Sequence, residues 1–178
     1  MNWRVCGGSW NNWEESDRCQ GTDSRLAPDV LDTYHAAPLI APALYWRLMF
    51  PHHQRLCAHF AAQGLRTLLH SDGNVAPLIP LFLEAGFAGL NPLEAKAGLD
   101  VRMLKPLYGD RLIFFGNIDV RKLAGSKGEI EEEISSKLSV AKEHGGYIYH
   151  SDHSVPNNVS LENYRFAIEM VKKYGRYA

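Results

Sequence analysis

The sequence predicts an α/β fold of parallel strands with helices packed outside them. Three observations support this. Short apolar runs alternate with helical segments four times between residues 65 and 175. The runs are apolar almost throughout, as strands covered on both faces should be. Every run ends in polar, chemically capable residues, and ligands of parallel α/β folds sit at the carboxyl ends of strands. Four such units make either a small open sheet or half of an eight-stranded barrel. A complete barrel usually needs about 250 residues, and this chain has 178.

Residues 1–30 are polar, have no helical or strand period, and are left unassigned. The assigned domain spans 38–178. "APALYWRLMFPHHQRLCAHFAAQG" reads as helix through Leu44, Leu48, Leu56 and Phe60, interrupted near Pro51 and closed by Gly64. "LRTLLH" (65–70) is the first strand. The helix after it begins regularly near Leu78, beyond Pro77, and runs to Gly86. "FAGLN" (87–91) is the second strand, followed by a short helix over 100–109. "RLIFFGN" (111–117) is the third. The helix over 129–146 puts Ile130, Ile134, Leu138 and Ala141 on one face and an i,i+4 pair, Glu133 and Lys137, on another. "YIYHS" (147–151) is the fourth strand. The last helix, 160–175, has Ser160 as N-cap, Tyr164, Ile168 and Val171 inward, and Gly175 at its end.

Composition narrows the function. A formal net charge of −1 gives no reason to expect nucleic acid or an anionic membrane as partner. No apolar run approaches the roughly 18 residues of a spanning helix, and the opening "MNWRVCGGSWNNWEESDR" has no apolar signal core. Cys6, Cys19 and Cys57 are odd in number and widely spaced, which fits a reducing, cytoplasmic setting. Dinucleotide, P-loop, GxSxG and HExxH signatures are absent.

The strand ends hold the candidate site. They offer His70 and Asp72, then Asn91 and Glu94, then Asn117 and Asp119, then His150 to His153. Each also has a purely structural reading. Asn91-Pro92 is a good turn, Asn117 and Asp119 are good cap and turn residues, and Asp72-Gly73 suits a plain loop. His150 is not singled out. His70 and His153 each stand beside other polar groups, and imidazoles brought together at one rim suit metal or proton chemistry.

The runs "HSDGN…LFLEAGFAGLNPLE", "LKPLYGDRLIFFGNID" and "GGYIYHSDHSVPNNVSLENYRFAIEMVKKYG", in this order, resemble the uroporphyrinogen decarboxylase superfamily, which includes haem-pathway decarboxylases and cobalamin-dependent methyltransferases. "PLIAPALYWRLMFPHHQRL" is similar to a further segment of that family, with Ala41 where serine is usual. The resemblance covers about residues 38–175 and implies a partial TIM-type (β/α)8 barrel, its C-terminal half, with the N-terminal half and its aspartate and arginine cluster missing. It implies His153 as the catalytic residue carried over; Asn91, Glu94, Asn117 and Asp119, by their place at the strand ends, are the expected substrate-binding residues. The methyltransferase branch implies a metal, zinc or another divalent ion, at His70, Asp72 and His153, with aspartate and histidine where that branch has thiolates. The expected substrate is a tetrapyrrole or, alternatively, a corrinoid-bound methyl group. The third alternative is an inactive or partner-dependent fragment. A half-barrel leaves strand edges unpaired, so self-association or a separate N-terminal half is expected as partner.

Overall fold

The computed structural model describes residues 37–176. The unassigned stretch 1–30, with Cys6 and Cys19, lies outside them. Four strands form one sheet in the order β1 (Leu68–His70), β2 (Gly89–Asn91), β3 (Ile113–Phe115), β4 (Tyr147–Ile148), every pair parallel. An isolated parallel bridge, Ile118 to Ser151, extends the β3–β4 contact past the strand ends. The helices are α1 (Pro42–Leu48), α2 (Phe50–Ala61), α3 (Ile79–Ala85), α4 (Val101–Tyr108), α5 (Val120–Leu123), α6 (Lys127–Ala141) and α7 (Leu161–Tyr174), with 3-10 turns at Ala76–Leu78 and Ala95–Ala97. Four parallel strands with their crossover helices are one half of a TIM-like barrel.

The first helical segment is broken near Pro51, as expected, with Met49 as the residue between the two helices. Pro51 sits in the first turn of α2, where its missing N–H has no partner to lose. The residues that α1 and α2 bury are Tyr45, Phe50 and Cys57, whereas Leu44, Leu48 and Leu56 are 39–50% exposed. The expected apolar stripe was thus displaced around these helices. The last helix shows a similar displacement. Tyr164 is exposed, and Ala167 is the fully buried position, with Phe166, Met170, Val171 and Tyr174 beside it. Asn163 also turns inward, donating to the carbonyls of Leu123 at 3.0 Å and Gly125 at 2.9 Å. A small residue at 167 lets α7 approach α6 closely, and that contact selects the face.

Two apolar clusters lie on the helix-covered side. One gathers Phe82, Leu90, Leu93, Leu104 and Phe114 with α1 to α4; the other gathers Ile118, Leu123, Ile130, Ile134, Leu138 and Ala167. Helix α6 starts earlier than its apolar period suggests, because Ser126 and Glu129 form a capping box. The short α5 begins at Asp119, whose carboxylate accepts from the Arg121 N–H at 2.9 Å.

Candidate functional site at the strand-end rim

Side chains of a strand alternate between faces. Leu69, Leu90 and Phe114 pack into the helix-covered core. Leu68, His70, Gly89, Asn91, Ile113, Phe115 and Ile148 therefore occupy the opposite, open face. Contacts support this assignment: a Cβ built on Gly89 would meet Ile113 Cβ at 3.0 Å and Leu68 Cγ at 3.1 Å. The open face is apolar at its base and polar toward the carboxyl ends of the strands.

At that polar rim, His70 Nδ1 donates to Asn91 Oδ1 at 2.7 Å, and its Nε2 lies 3.7 Å from Asp72 Oδ1. Both side chains of the latter pair are more than half exposed. Across the sheet, the His150 ring meets the Phe115 ring edge-on at 5.1 Å, which places His150 on the open face as well. Its Nδ1 donates to the Ser151 carbonyl at 2.6 Å, so a neutral His150 presents Nε2 as an acceptor. Sequence reasoning passed over His150. The usable signal was its even spacing from Ile148 within the fourth strand. His153 is exposed, and its carbonyl accepts from Ser151 Oγ at 2.6 Å.

The other expected binding residues sit deeper and hold the loops together. Asn117 has no exposed surface and a left-handed backbone, φ 75°. Its Oδ1 accepts from the Val101 N–H at 2.9 Å, and its Nδ2 donates to the carbonyls of Leu93 at 3.0 Å and Leu99 at 2.8 Å. This one amide joins the loops after β2 and β3 to the start of α4. Gly116, at φ +111°, fits there because a Cβ would meet Leu93 N at 3.2 Å and the Ser151 carbonyl at 3.3 Å. Glu94 is buried, accepts from the Gly73 N–H and pairs with Lys96 at 3.4 Å. Asp119 caps α5 and grips Arg121 Nη2 at 2.6 Å. Burial pushes the Asp119 carboxyl up, but the side-chain and backbone donors of Arg121 outweigh it and hold its pKa below the usual carboxylate value.

Two further residues were not singled out from sequence. Asp152 is fully buried, and its carboxylate accepts from Val120 N at 3.0 Å and Lys96 N at 3.4 Å. Burial raises its pKa, with the Val120 N–H offsetting part of the rise and the nearby Asp119 adding to it. Lys137, expected with Glu133 on a face other than the apolar one, is 4% exposed. Its ammonium donates to the Asn117 carbonyl and to Glu133 Oε1, both at 2.6 Å. Glu133 Oε1 also accepts from the Asp119 N–H at 2.8 Å.

The structure thus brings His70, Asp72 and Asn91 together at the β1–β2 end. His150 and His153 lie at the β4 end. Among the described residues, no three histidine, cysteine, aspartate or glutamate side chains are placed to hold a metal ion. The expected set of His70, Asp72 and His153 is not assembled within one chain, because its members come from strands at opposite edges of the sheet. Within one chain, the described residues bring only His70 and Asp72 together, too few ligands by themselves for a resident zinc ion.

A uroporphyrinogen decarboxylase (URO-D) family model matches residues 28–174. The chain belongs to the uroporphyrinogen decarboxylase family. Among curated relatives, the uroporphyrinogen decarboxylase of Syntrophotalea carbinolica is 24% identical over 160 residues, covering 88% of this chain and 44% of that protein. That of Pelodictyon phaeoclathratiforme is 29% identical over 79 residues, covering 43% of this chain and 22% of the relative. A solved methyltransferase from Methanosarcina mazei shares the fold with a TM-score of 0.60 at 23% identity, over 79% of this chain and 40% of that one. The chain therefore spans less than half the length of these URO-D relatives. No helix among the described residues is long and apolar enough to cross a membrane.

Proposed function

We propose that this chain supplies the C-terminal half of a URO-D-type barrel, and that its strand-end rim forms part of the binding site for a tetrapyrrole carrying carboxylate side chains. One observation carries the reading. The exposed polar groups, His70, Asp72, His150 and His153, end parallel strands on one rim, while Asn117, Glu94, Asp119 and Asp152 lock the loops beneath them. Decarboxylation of an acetate side chain removes carbon dioxide and places a proton on the carbon left behind. Imidazoles at the rim can pair with substrate carboxylates and supply protons near neutral pH. In this reading His153 and His70 are the groups that meet substrate, and the groups that complete the chemistry come from the other half of a barrel.

A second reading is methyl transfer from a corrinoid to an acceptor. The approach of His70 to Asp72 is the observation that favours it, since these residues offer imidazole and carboxylate to a divalent ion shared with groups from outside this half.

Titration of the protein with uroporphyrin, followed by the Soret band, tests the first reading. Saturable binding weakened about tenfold or more by His70→Ala or His153→Ala is expected, each lost ionic hydrogen bond being worth about 1.5–3 kcal/mol. Turnover of uroporphyrinogen by this chain alone is not expected. Equal affinity in wild type and both variants would overturn the assignment of the rim. Zinc-dependent binding of a corrinoid, with no porphyrin binding, would replace it with the second reading.

A further inference from the structure

We infer that a second copy of this chain closes the barrel, and that the active rim is composite, with the His150–His153 loop of one copy set beside His70 and Asp72 of the other. The sheet has four parallel strands, and among the described residues β1 and β4 are its edges. The hydrogen bonds Ala88 N to Thr67 O and Ser71 N to Asn91 O point the backbone of residues 67, 69 and 71 toward β2. Alternation then turns the peptide groups of Leu68 and His70 to the free edge. On β4, Gly146, Ile148 and His150 accept from β3, so Tyr147 and Tyr149 face the other free edge.

Parallel sheets are found covered on both faces. Here the open face keeps Leu68 at 40% and Ile148 at 44% exposure. A two-fold axis along the strands adds four strands of the same direction, making eight. It sets β4 of each copy against β1 of its partner at two equal seams, which leaves no edge. Two observations favour a second copy as occupant. A formal net charge of −1 sets little repulsion between copies. The two rims are also complementary, with the Asp72 carboxylate at the β1 edge and the His150 and His153 imidazoles at the β4 edge. The groups that one chain holds apart are thereby brought together across each seam. This assembly rests on the half-barrel architecture and not on the identity of the substrate.

Sedimentation and light scattering on the whole chain test it, with a charge exchange on the open face. Wild type is expected at twice its 20.0 kDa chain mass. Leu68→Lys and Ile148→Glu place one charge at each seam of a homodimer and should each give a folded monomer, as judged by circular dichroism. Mixing the two variants sets the new cation against the new anion at one seam and restores the native pair at the other. Recovery of the dimer, at least about tenfold tighter than either variant alone, is expected. If either variant fails to fold, Leu68→Cys with Ile148→Cys in a Cys6→Ser, Cys19→Ser background gives the second measurement, a covalent dimer on treatment with a short bismaleimide. A wild-type monomer would overturn the proposal. So would a dimer indifferent to both charges, or a double-cysteine protein that cross-links only to open multimers. Loss of uroporphyrin binding with the dimer intact would count against the substrate reading alone.

Discussion

Replacing Asn117 by alanine should be among the most damaging single changes to this fold. Its side chain satisfies the Val101 N–H and two carbonyls, at 2.8–3.0 Å, in a site with no exposed surface. Alanine leaves the Val101 N–H buried without this acceptor, at a cost of about 1–3 kcal/mol. It also places a Cβ without a compensating polar group at φ 75°, which adds about 1–2 kcal/mol. The sum is about 2–5 kcal/mol, a large share of the 5–15 kcal/mol that holds a typical domain. With a urea slope of about 2 kcal/mol/M, the midpoint should fall by about 1–2.5 M. Urea unfolding followed by circular dichroism, at one fixed protein concentration, measures it. Asn117→Gly separates the two contributions: it loses the same hydrogen bonds but adopts the left-handed conformation freely, so it should recover about 1 kcal/mol relative to alanine. A midpoint for Asn117→Ala within 0.5 M of wild type, written as about 1 kcal/mol on the same slope, would refute the role assigned to the amide. A glycine variant no better than alanine would refute the backbone part of the reasoning.

Lys137→Met should cost about 3–5 kcal/mol in the same assay, because it leaves Glu133 and the Asn117 carbonyl without their buried cation; the double variant Lys137→Met, Glu133→Leu should cost less than the sum of the two single changes. Asp152 gives a pH signature. Its folded pKa is raised above the ordinary 3.8, so the native state binds more protons than the unfolded chain in the window just above that value, and stability falls as pH rises through it. Relative to Asp152→Asn, wild type should therefore lose stability from pH 3.8 upward and level off beyond the raised pKa. Parallel melting curves of the two proteins across mildly acid pH check this, and a difference that stays flat or grows in favour of wild type would reverse the sign.

The strands and their direction were legible because apolar runs bounded by Gly, Asn and Asp leave little alternative, and because helices between them force parallel crossovers. Their lengths were not. The expected five- to seven-residue strands shorten to two or three, since backbone pairing gives way early to side-chain bonding at the rim. Helix faces were misplaced where packing, rather than apolar period, decides the contact: Leu44 and Tyr164 are exposed while Cys57 and Ala167 are buried. At the rim, the sequence placed these polar residues at strand ends, as the structure does, but carried nothing to rank them. Asn91 and Asn117 each follow an apolar run. One half-buried amide meets His70, and the other is sealed among backbone groups. Only the third dimension separates the two, through the left-handed backbone at Asn117. Lys137 was expected with Glu133 on a face other than the apolar one, and i,i+4 spacing carries no information about which loop lies beneath that face.

The buried carboxylate of Asp152 bears on how such a rim can change over evolutionary time. Loops at the ends of barrel strands are ordinarily the segments freest to vary, since each can lengthen or shorten without disturbing its neighbours. Here the loop after β4 is fastened through one side chain to the segments after β2 and β3, at Lys96 and Val120. An insertion in any of the three would have to preserve the positions of donors in the others. Variation in this part of the rim should therefore be concerted, while the His70 and Asp72 side chains, both more than half exposed above a loop whose backbone is tied to Asn91 and Glu94, are the groups that can be exchanged with that loop kept in place to suit a different substrate.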